Sequence, residues 1–444
     1  MEKIILHEFG KAQKLPETEW HHFENYLQEV WQNRLFGGDV QDQVSDSITQ
    51  RLFDLYQGTI RARNYSGYLR FDHIEIQIFP KIFATDTSPE AGLVFRHLNY
   101  YLSYCFSLHV PFFQDEADTQ PNENLLNLWI QLFVQFTWQF LSQKPHFAYE
   151  NLQEQNPYFK GRLATSEYIR TSMRKANWHQ PINAYSKLTY DNRFNRLIKY
   201  VFEHLIDHLP TNALEEKVAQ ILRLLHDCKA EALSISACQK LRHQTPNPIQ
   251  KTIISFCEIY LFNKNINEQI GAVNNFAFLL PMESIFEQFI YGFIATHFPE
   301  EQAQYQSSSH LARNEDDGKT VFLVKQDIYL PHRHRVIDTK YKLRTPPFAD
   351  ANTGVASQDM YQMLSYALAR DCRDLLLVYP SKFQEPELHH KIREFVIQSK
   401  LLGNEQIRIK ACDLDITEAQ SENFKTRLDQ KIKAQLEKLL FEKG

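Results

Sequence analysis

Hydrophobic and polar positions alternate most regularly in RVIDTKYKLR at residues 335–344. There Val336, Asp338, Lys340 and Lys342 fall on one side of a predicted strand, and Ile337, Thr339 and Tyr341 on the other. One face is therefore charged. A second β-prone run, TVFLVKQDIYLP at 320–331, precedes it, and PHRHR at 331–335 serves as the turn between them. Pairing as adjacent antiparallel strands sets Asp327 beside Asp338 and Lys340. Upstream, LPMESIFEQFIYGFIATHF at 280–298 has helical spacing, with Glu287 on a stripe shared by Ile290, Tyr291 and Ile294. Downstream, SQDMYQMLSYALAR at 357–370 predicts a helix packed through Met360, Met363, Leu364, Ala367 and Leu368, with Gln362 and Tyr366 together on another face. DLLLVYP at 374–380 and QIRIKACDLDI at 406–416 read as strands. The order helix, strand, strand, helix, strand, strand suits a small mixed sheet flanked by helices.

The amino-terminal half reads differently. A helix is expected near 17–33, and a hairpin from IRARNYSGYL (60–69) and HIEIQIF (73–79), with Ile74, Ile76 and Ile78 on one face and Pro80 closing the strand. Two aromatic-rich helical stretches lie within 91–145, around HLNYYLSYCF and LLNLWIQLFVQFTWQFL, separated by HVPFFQDEADTQPNENL, which has the composition of an exposed loop. Residues 190–262 look largely helical, and GAVNNFAFLLP at 271–281 leads into the last region. The resulting division is a β-containing domain over 1–90, a largely helical region over 91–265 and a mixed α/β domain over 266–444.

Composition narrows the function. At 444 residues, 43% of them hydrophobic, the chain can bury the cores of two to three domains of roughly 150 residues. A net charge of −5 excludes a generally basic nucleic-acid coat, so any grip on DNA has to be local. The cluster His332, Arg333, His334, Arg335, Lys340, Lys342 and Arg344 could hold phosphates or could be a solvated hairpin. Six scattered cysteines without C-x-x-C spacing suggest neither a zinc site nor a disulfide framework, and no run of about 18 uncharged apolar residues occurs. A soluble, reduced, cytoplasmic protein is expected. DGKT at 317–320 echoes the end of a phosphate-binding loop, but Arg313 stands where that loop needs glycine, so a turn is expected over 314–318.

Two carboxylates beside an amine make a minimal centre for metal-assisted phosphodiester hydrolysis, with oxygen ligands for a hard cation and an ammonium to orient water. Asp-Thr-Lys alone is more often a solvated strand edge. Glu287, on an apolar stripe, is either a helix-edge residue reaching water or an acid held inward.

The order Glu287, Asp327, Asp338-Thr339-Lys340, Gln362 resembles the PD-(D/E)xK nuclease core, and more closely the McrC family, nuclease subunits of McrBC modification-dependent restriction systems. The matching segments are MESIFEQFI (282–290), QDIYL (326–330), VIDTKYK (336–342) and DMYQMLSYA (359–367), joined by GRLATSEYIR (161–170), YDNRFNRLIKYVF (190–202) and HIEIQIFPKIF (73–83). Gln326 stands where the motif name has proline. The resemblance implies an α+β, restriction-endonuclease-like core at the carboxyl terminus. It makes Asp327 and Asp338 metal ligands with Glu287 as an accessory acid, Lys340 the residue that positions or activates water, and Gln362 a supporting residue. It further implies Mg²⁺, double-stranded DNA with modified bases as substrate, a McrB-type AAA+ GTPase ring docked on the amino-terminal part, and self-association through that ring complex. The alternatives are a ring-binding regulator with a vestigial nuclease core, against which the intact Asp327, Asp338 and Lys340 argue, and a stand-alone nuclease, which net acidity disfavours.

Overall fold

The structure, a computed structural model, describes residues 2–15, 20–34, 50–85, 89–106, 125–206, 209, 211–271, 275–344, 352–384, 392–398, 405–420 and 422–441. The loop expected over 109–125 lies almost wholly outside them. Two compact units emerge, one formed by Met1–Leu125 together with Ile266–Gly444 and the other by Leu126–Asn265. The class is mixed α+β.

In the first unit, a four-stranded sheet has the order β1 (Glu2–His7), β6 (Ile74–Phe79), β5 (Tyr65–Phe71), β10 (Phe276–Pro281). The expected hairpin is present as β5 and β6, which pair antiparallel. Its first strand starts at Tyr65, because Thr59–Ala62 (β4) joins a separate small sheet with β2 (Gln13–Lys14) and β3 (Phe53–Tyr56). Every residue of β6 is buried, Glu75 and Gln77 included, as suits an inner strand with both faces covered. The run expected to lead into the last domain instead becomes β10 and closes this sheet by pairing with β5. Gly67 makes that approach possible: its φ is +137°, and a Cβ there would stand 2.0 Å from the Phe278 carbonyl oxygen. The Trp20–Gln32 helix buries Phe23, Tyr26, Leu27, Val30 and Trp31.

The second sheet of this unit has six strands in the order β11 (Gln304–Arg313), β12 (Thr320–Leu330), β13 (Arg335–Thr339), β14 (Asp374–Pro380), β16 (Gln406–Leu414), β15 (Arg393–Gln398). β13, β14 and β16 are mutually parallel, and the outer pairs are antiparallel. The Ser357–Arg370 helix covers one face, packing Met363, Tyr366 and Ala367 on Val336, Leu375 and Leu377. Leu368, expected on the packed side, is 57% exposed, and Tyr366 is buried instead. The Met282–His297 helix is buried almost all round, including Glu287. It crosses the Ala91–Tyr104 helix so closely at Gly292 that a Cβ there would lie 2.0 Å from the Tyr104 carbonyl oxygen.

The second unit contains the expected helices, among them Arg193–Leu205, Asn212–Leu224 and Ile235–Gln244, whose amino ends are capped by the side chains of Asn192, Thr211 and Ser234. Trp129, Phe133, Phe202 and Phe256 form its aromatic centre. It also holds a sheet absent from the sequence reading, in the order β7 (Ala148–Gln155), β9 (Ile182–Thr189), β8 (Arg162–Leu163). All six cysteines are free and buried. Among the described residues no helix is long and apolar enough to cross a membrane.

Candidate active site

β12 and β13 pair antiparallel with Ile328 opposite Ile337, so continuing that register by one step sets Asp327 opposite Asp338. The ladder stops there because a side chain takes over: Asp327 Oδ2 accepts from the Thr339 amide at 2.7 Å and from the Thr339 hydroxyl at 2.8 Å. β13 keeps its parallel partner a little further, the Lys340 amide donating to the Val378 carbonyl at 2.8 Å. This backbone anchor fixes where the Lys340 side chain leaves the strand.

Asp338 is fully buried. Its Oδ2 lies 2.8 Å from Lys340 Nζ, an ion pair, and its Oδ1 has no donor among the described residues, which leaves the carboxylate under-satisfied. Burial raises the pKa of Asp338, the facing charge of Asp327 adds to the rise, and Lys340 opposes it. Lys340 Nζ also donates to Gln362 Oε1 at 2.8 Å. Burial alone would lower the lysine pKa, but Asp338, Asp327 and Asp359 outweigh it and the net shift is upward, so the amine stays an ammonium. Gln362 in turn donates to the Tyr366 hydroxyl, which donates to the Lys325 carbonyl at 2.8 Å. One helix face therefore props the lysine.

The structure thus joins Asp327, Asp338, Lys340 and Gln362. Glu287 reaches the same region from the Met282–His297 helix, with Gln306 Nε2 donating to its Oε1 at 3.0 Å. Its charge helps, after burial, to raise the pKa of Tyr305, as does that of Asp327. Tyr366 is shifted in the same sense by burial and then by Asp338, Asp327 and Glu287. Among the described residues, no three His, Cys, Asp or Glu side chains converge as a ready-made metal cage.

Most of the basic cluster is engaged with acids. Arg344 is buried in a bidentate pair with Asp413, and Arg335 is buried against Asp374 and the Leu439 and Leu440 carbonyls. Arg333 pairs with Glu301 at 2.8 Å, and Lys342 with Asp359 at 3.1 Å. Gln326, at the proline position of the motif, is buried, its amide nitrogen donating to Ser309 Oγ at 2.7 Å and its amide oxygen accepting from Arg370 Nε at 3.2 Å. The 314–318 segment is a turn, with the Asn314 amide donating to the Lys319 carbonyl at 2.8 Å.

Gln306, Tyr305 and Asp359 were missed by sequence reasoning. Gln306 lies in QYQSSSH, a polar run with no motif, and only its place across from Asp327 singles it out.

A helix-flanked mixed sheet with a buried carboxylate–ammonium centre is the class that fold and site define. A family model described as McrBC 5-methylcytosine restriction system component matches residues 60–380. The fold is similar to that of a chain from the refined half-complex of a tetradecameric assembly of Thermococcus gammatolerans McrB AAA+ hexamers with bound McrC, at 15% identity and a TM-score of 0.66, covering 99% of this chain and 100% of that one. A chain of the Thermococcus gammatolerans McrBC complex solved by cryo-EM shares 18% identity over 67% of this chain and 88% of that one, with a TM-score of 0.45. No curated protein matches. The chain belongs to the McrBC restriction-system family.

Proposed function

We propose that this chain is a McrC-type subunit: a Mg²⁺-dependent DNA endonuclease that cuts phosphodiester bonds in modified double-stranded DNA when assembled with a McrB-type AAA+ GTPase ring. The observation that carries the reading is the Asp338–Lys340–Gln362 chain facing Asp327 at the end of a broken β-ladder. The family match and the whole-length likeness to a chain of an assembly that contains McrB hexamers and McrC support it. Docking of the ring on the part preceding residue 266, with stimulation of GTP hydrolysis, belongs to the same proposal, as do cytoplasmic location and association of copies through the ring.

The residues fit a hard divalent cation. A buried carboxylate without adequate donors is stabilised by an oxygen-seeking ion, and Asp338 and Asp327 are the groups to hold it, with Glu287 as the accessory acid. When bound, Mg²⁺ supplies Lewis-acid polarisation of a phosphoryl oxygen and a more acidic water. Lys340 remains an ammonium and therefore acts by orienting water and opposing negative charge on phosphate, with Asp338 and Gln362 fixing its direction.

The test is cleavage of modified DNA by the full chain with its GTPase partner. Mg²⁺ should support cutting and Ca²⁺ little or none, because the looser calcium shell positions water poorly. Asp338→Ala should abolish cutting while partner stimulation persists. Normal cleavage by that variant in Mg²⁺ rules the assignment out.

A further inference from the structure

Successive side chains on a regular strand point to opposite faces. Tyr305 and Gln306 break that rule, since both address Glu287: the Gln306 amide donates to Oε1 at 3.0 Å, and the Tyr305 phenol is hydrogen-bonded to the same carboxylate. The cause lies in the backbone. Gln306 has φ +46°, the left-handed region, and the β11–β12 ladder skips it while keeping Tyr305 opposite Ile328 and Ser307 opposite Gln326. The residue facing the gap is Asp327. A local twist of this kind re-aims a side chain without shifting the register of the rest of the strand.

The same hairpin has a second such point, at Phe322, φ +56°, opposite Leu311. Its side chain is 71% exposed and stands opposite a leucine, so the left-handed kink by itself makes no site. At Gln306 the kink coincides with an acid held at hydrogen-bond distance and a carboxylate across the ladder. Non-glycine residues in this conformation persist where the surroundings over-determine them, and they concentrate at functional sites.

Building on the nuclease reading above, we propose that Gln306 is a positioning residue which, through its left-handed backbone, holds Glu287 toward the Asp327–Asp338 pair. It acts through Glu287 and touches neither substrate nor metal. The full chain would be titrated with Mg²⁺ by calorimetry, and single-turnover cleavage measured with the partner present. Gln306→Gly permits the left-handed backbone and removes the side chain that donates to Glu287. Its Mg²⁺ affinity and cleavage rate should each fall about tenfold, the scale of one hydrogen bond to a charged group, while the variant stays folded by circular dichroism. Glu287→Gln should lose at least as much, and adding Gln306→Gly to it should cost nothing more, because the two changes remove one interaction. Gln306→Glu, which sets like charges together, should be worse than Gln306→Gly. If the unaltered chain binds Mg²⁺ and cuts while Gln306→Gly matches it, or if the losses in the double variant are additive, the positioning role is overturned and the nuclease reading stands. If the unaltered chain neither binds Mg²⁺ nor cuts, the nuclease reading falls and takes this inference with it.

Discussion

Two carboxylates on strands, Asp338 in the six-stranded sheet and Glu154 in the three-stranded sheet of the other unit, show opposite electrostatics. Every residue of β13 is buried, and Asp338 has its pKa raised by burial and by Asp327. β7 is largely exposed, and the Tyr185 hydroxyl, donating to Glu154, lowers the pKa of that acid. Both are acids on strands; their surroundings decide what they do. An exposed acid with a donor is at ease and signals nothing. A buried acid beside a second acid reduces stability, and such a conflict persists where chemistry requires it. The same contrast runs through the apolar residues: Phe159 and Trp178 of the second unit are 76% and 72% exposed, whereas the face of β13 that carries Asp338 is covered by the Ser357–Arg370 helix.

The sharpest test of that comparison is Asp338→Asn. Cleavage should drop by roughly a thousandfold or more, since a charged ligand is lost. The metal-free variant should nevertheless melt higher than the unaltered chain at pH 8. The sign follows from linkage: the folded pKa of Asp338 lies above its unfolded value near 4, so its contribution to stability is present below that value and is lost as pH rises through the folded pKa. Melting at pH 5 and pH 8 checks it, and an equal or lower melting temperature at pH 8 would break the comparison. Glu154→Gln should leave both cleavage and the pH profile nearly unchanged.

Next in size is Lys340→Ala, expected to lower the single-turnover rate by about 10²- to 10³-fold with saturating DNA, as removal of an oriented cation does. Lys342→Ala should keep the rate within a few-fold. Its ammonium is engaged with Asp359, so the loss should appear in denaturant melts as about 1 kcal/mol. Equal rate losses for the two variants would mean that Lys340 has no role at the site that Lys342 lacks.

Glu8 tests burial at a distance from the acid pair. It accepts from the Lys81 amide at 3.0 Å and the Tyr341 hydroxyl at 2.9 Å, and burial pushes its pKa up to about 7, against the opposing charge of Lys81. Stability from the protonated acid is therefore full below about 4.5 and lost as pH rises to about 7. Glu8→Gln should flatten that slope and be more stable at pH 8 by up to about 3 kcal/mol. A pH-stability profile unchanged by the substitution would show that Glu8 is ionised in the fold. The smallest effect is expected for Trp178→Ser and Phe159→Ser, within about 0.5 kcal/mol by chemical denaturation, because both side chains are already in solvent.

Much of the six-stranded sheet was legible, because strands and helices there have clean periods. The strands at 320–330 and 335–339, the turn between them and the helices at 282–297 and 357–370 lie where alternation and helical spacing predicted, but the strand expected over 335–344 ends at Thr339: the Lys342 amide turns back to the Lys340 carbonyl, and both lysines lie beyond the strand. β11 and β15 escaped because Gln304–Arg313 and Arg393–Gln398 are mostly polar or exposed, without the apolar run that marks a buried strand. β7 and β9 escaped for the same reason. The partners of the basic cluster were not legible, because sequence shows charges and not what they pair with: Arg335 and Arg344 are hidden by Asp374 and Asp413, far away in the chain.

From the order of residues alone came the acids, the lysine two positions beyond Asp338, the local elements that carry them and the family resemblance. Each is a matter of spacing within one element or of words along the chain. The tertiary structure alone decided that Phe276–Pro281 completes a sheet begun by residues near the amino terminus, that Asp338 lacks adequate donors, and that Gln306 turns toward Glu287. Those are properties of pairing between distant segments and of exclusion from water, and neither has a local signature: the same polar residue is a solvated bystander or part of a site according to what the fold sets against it.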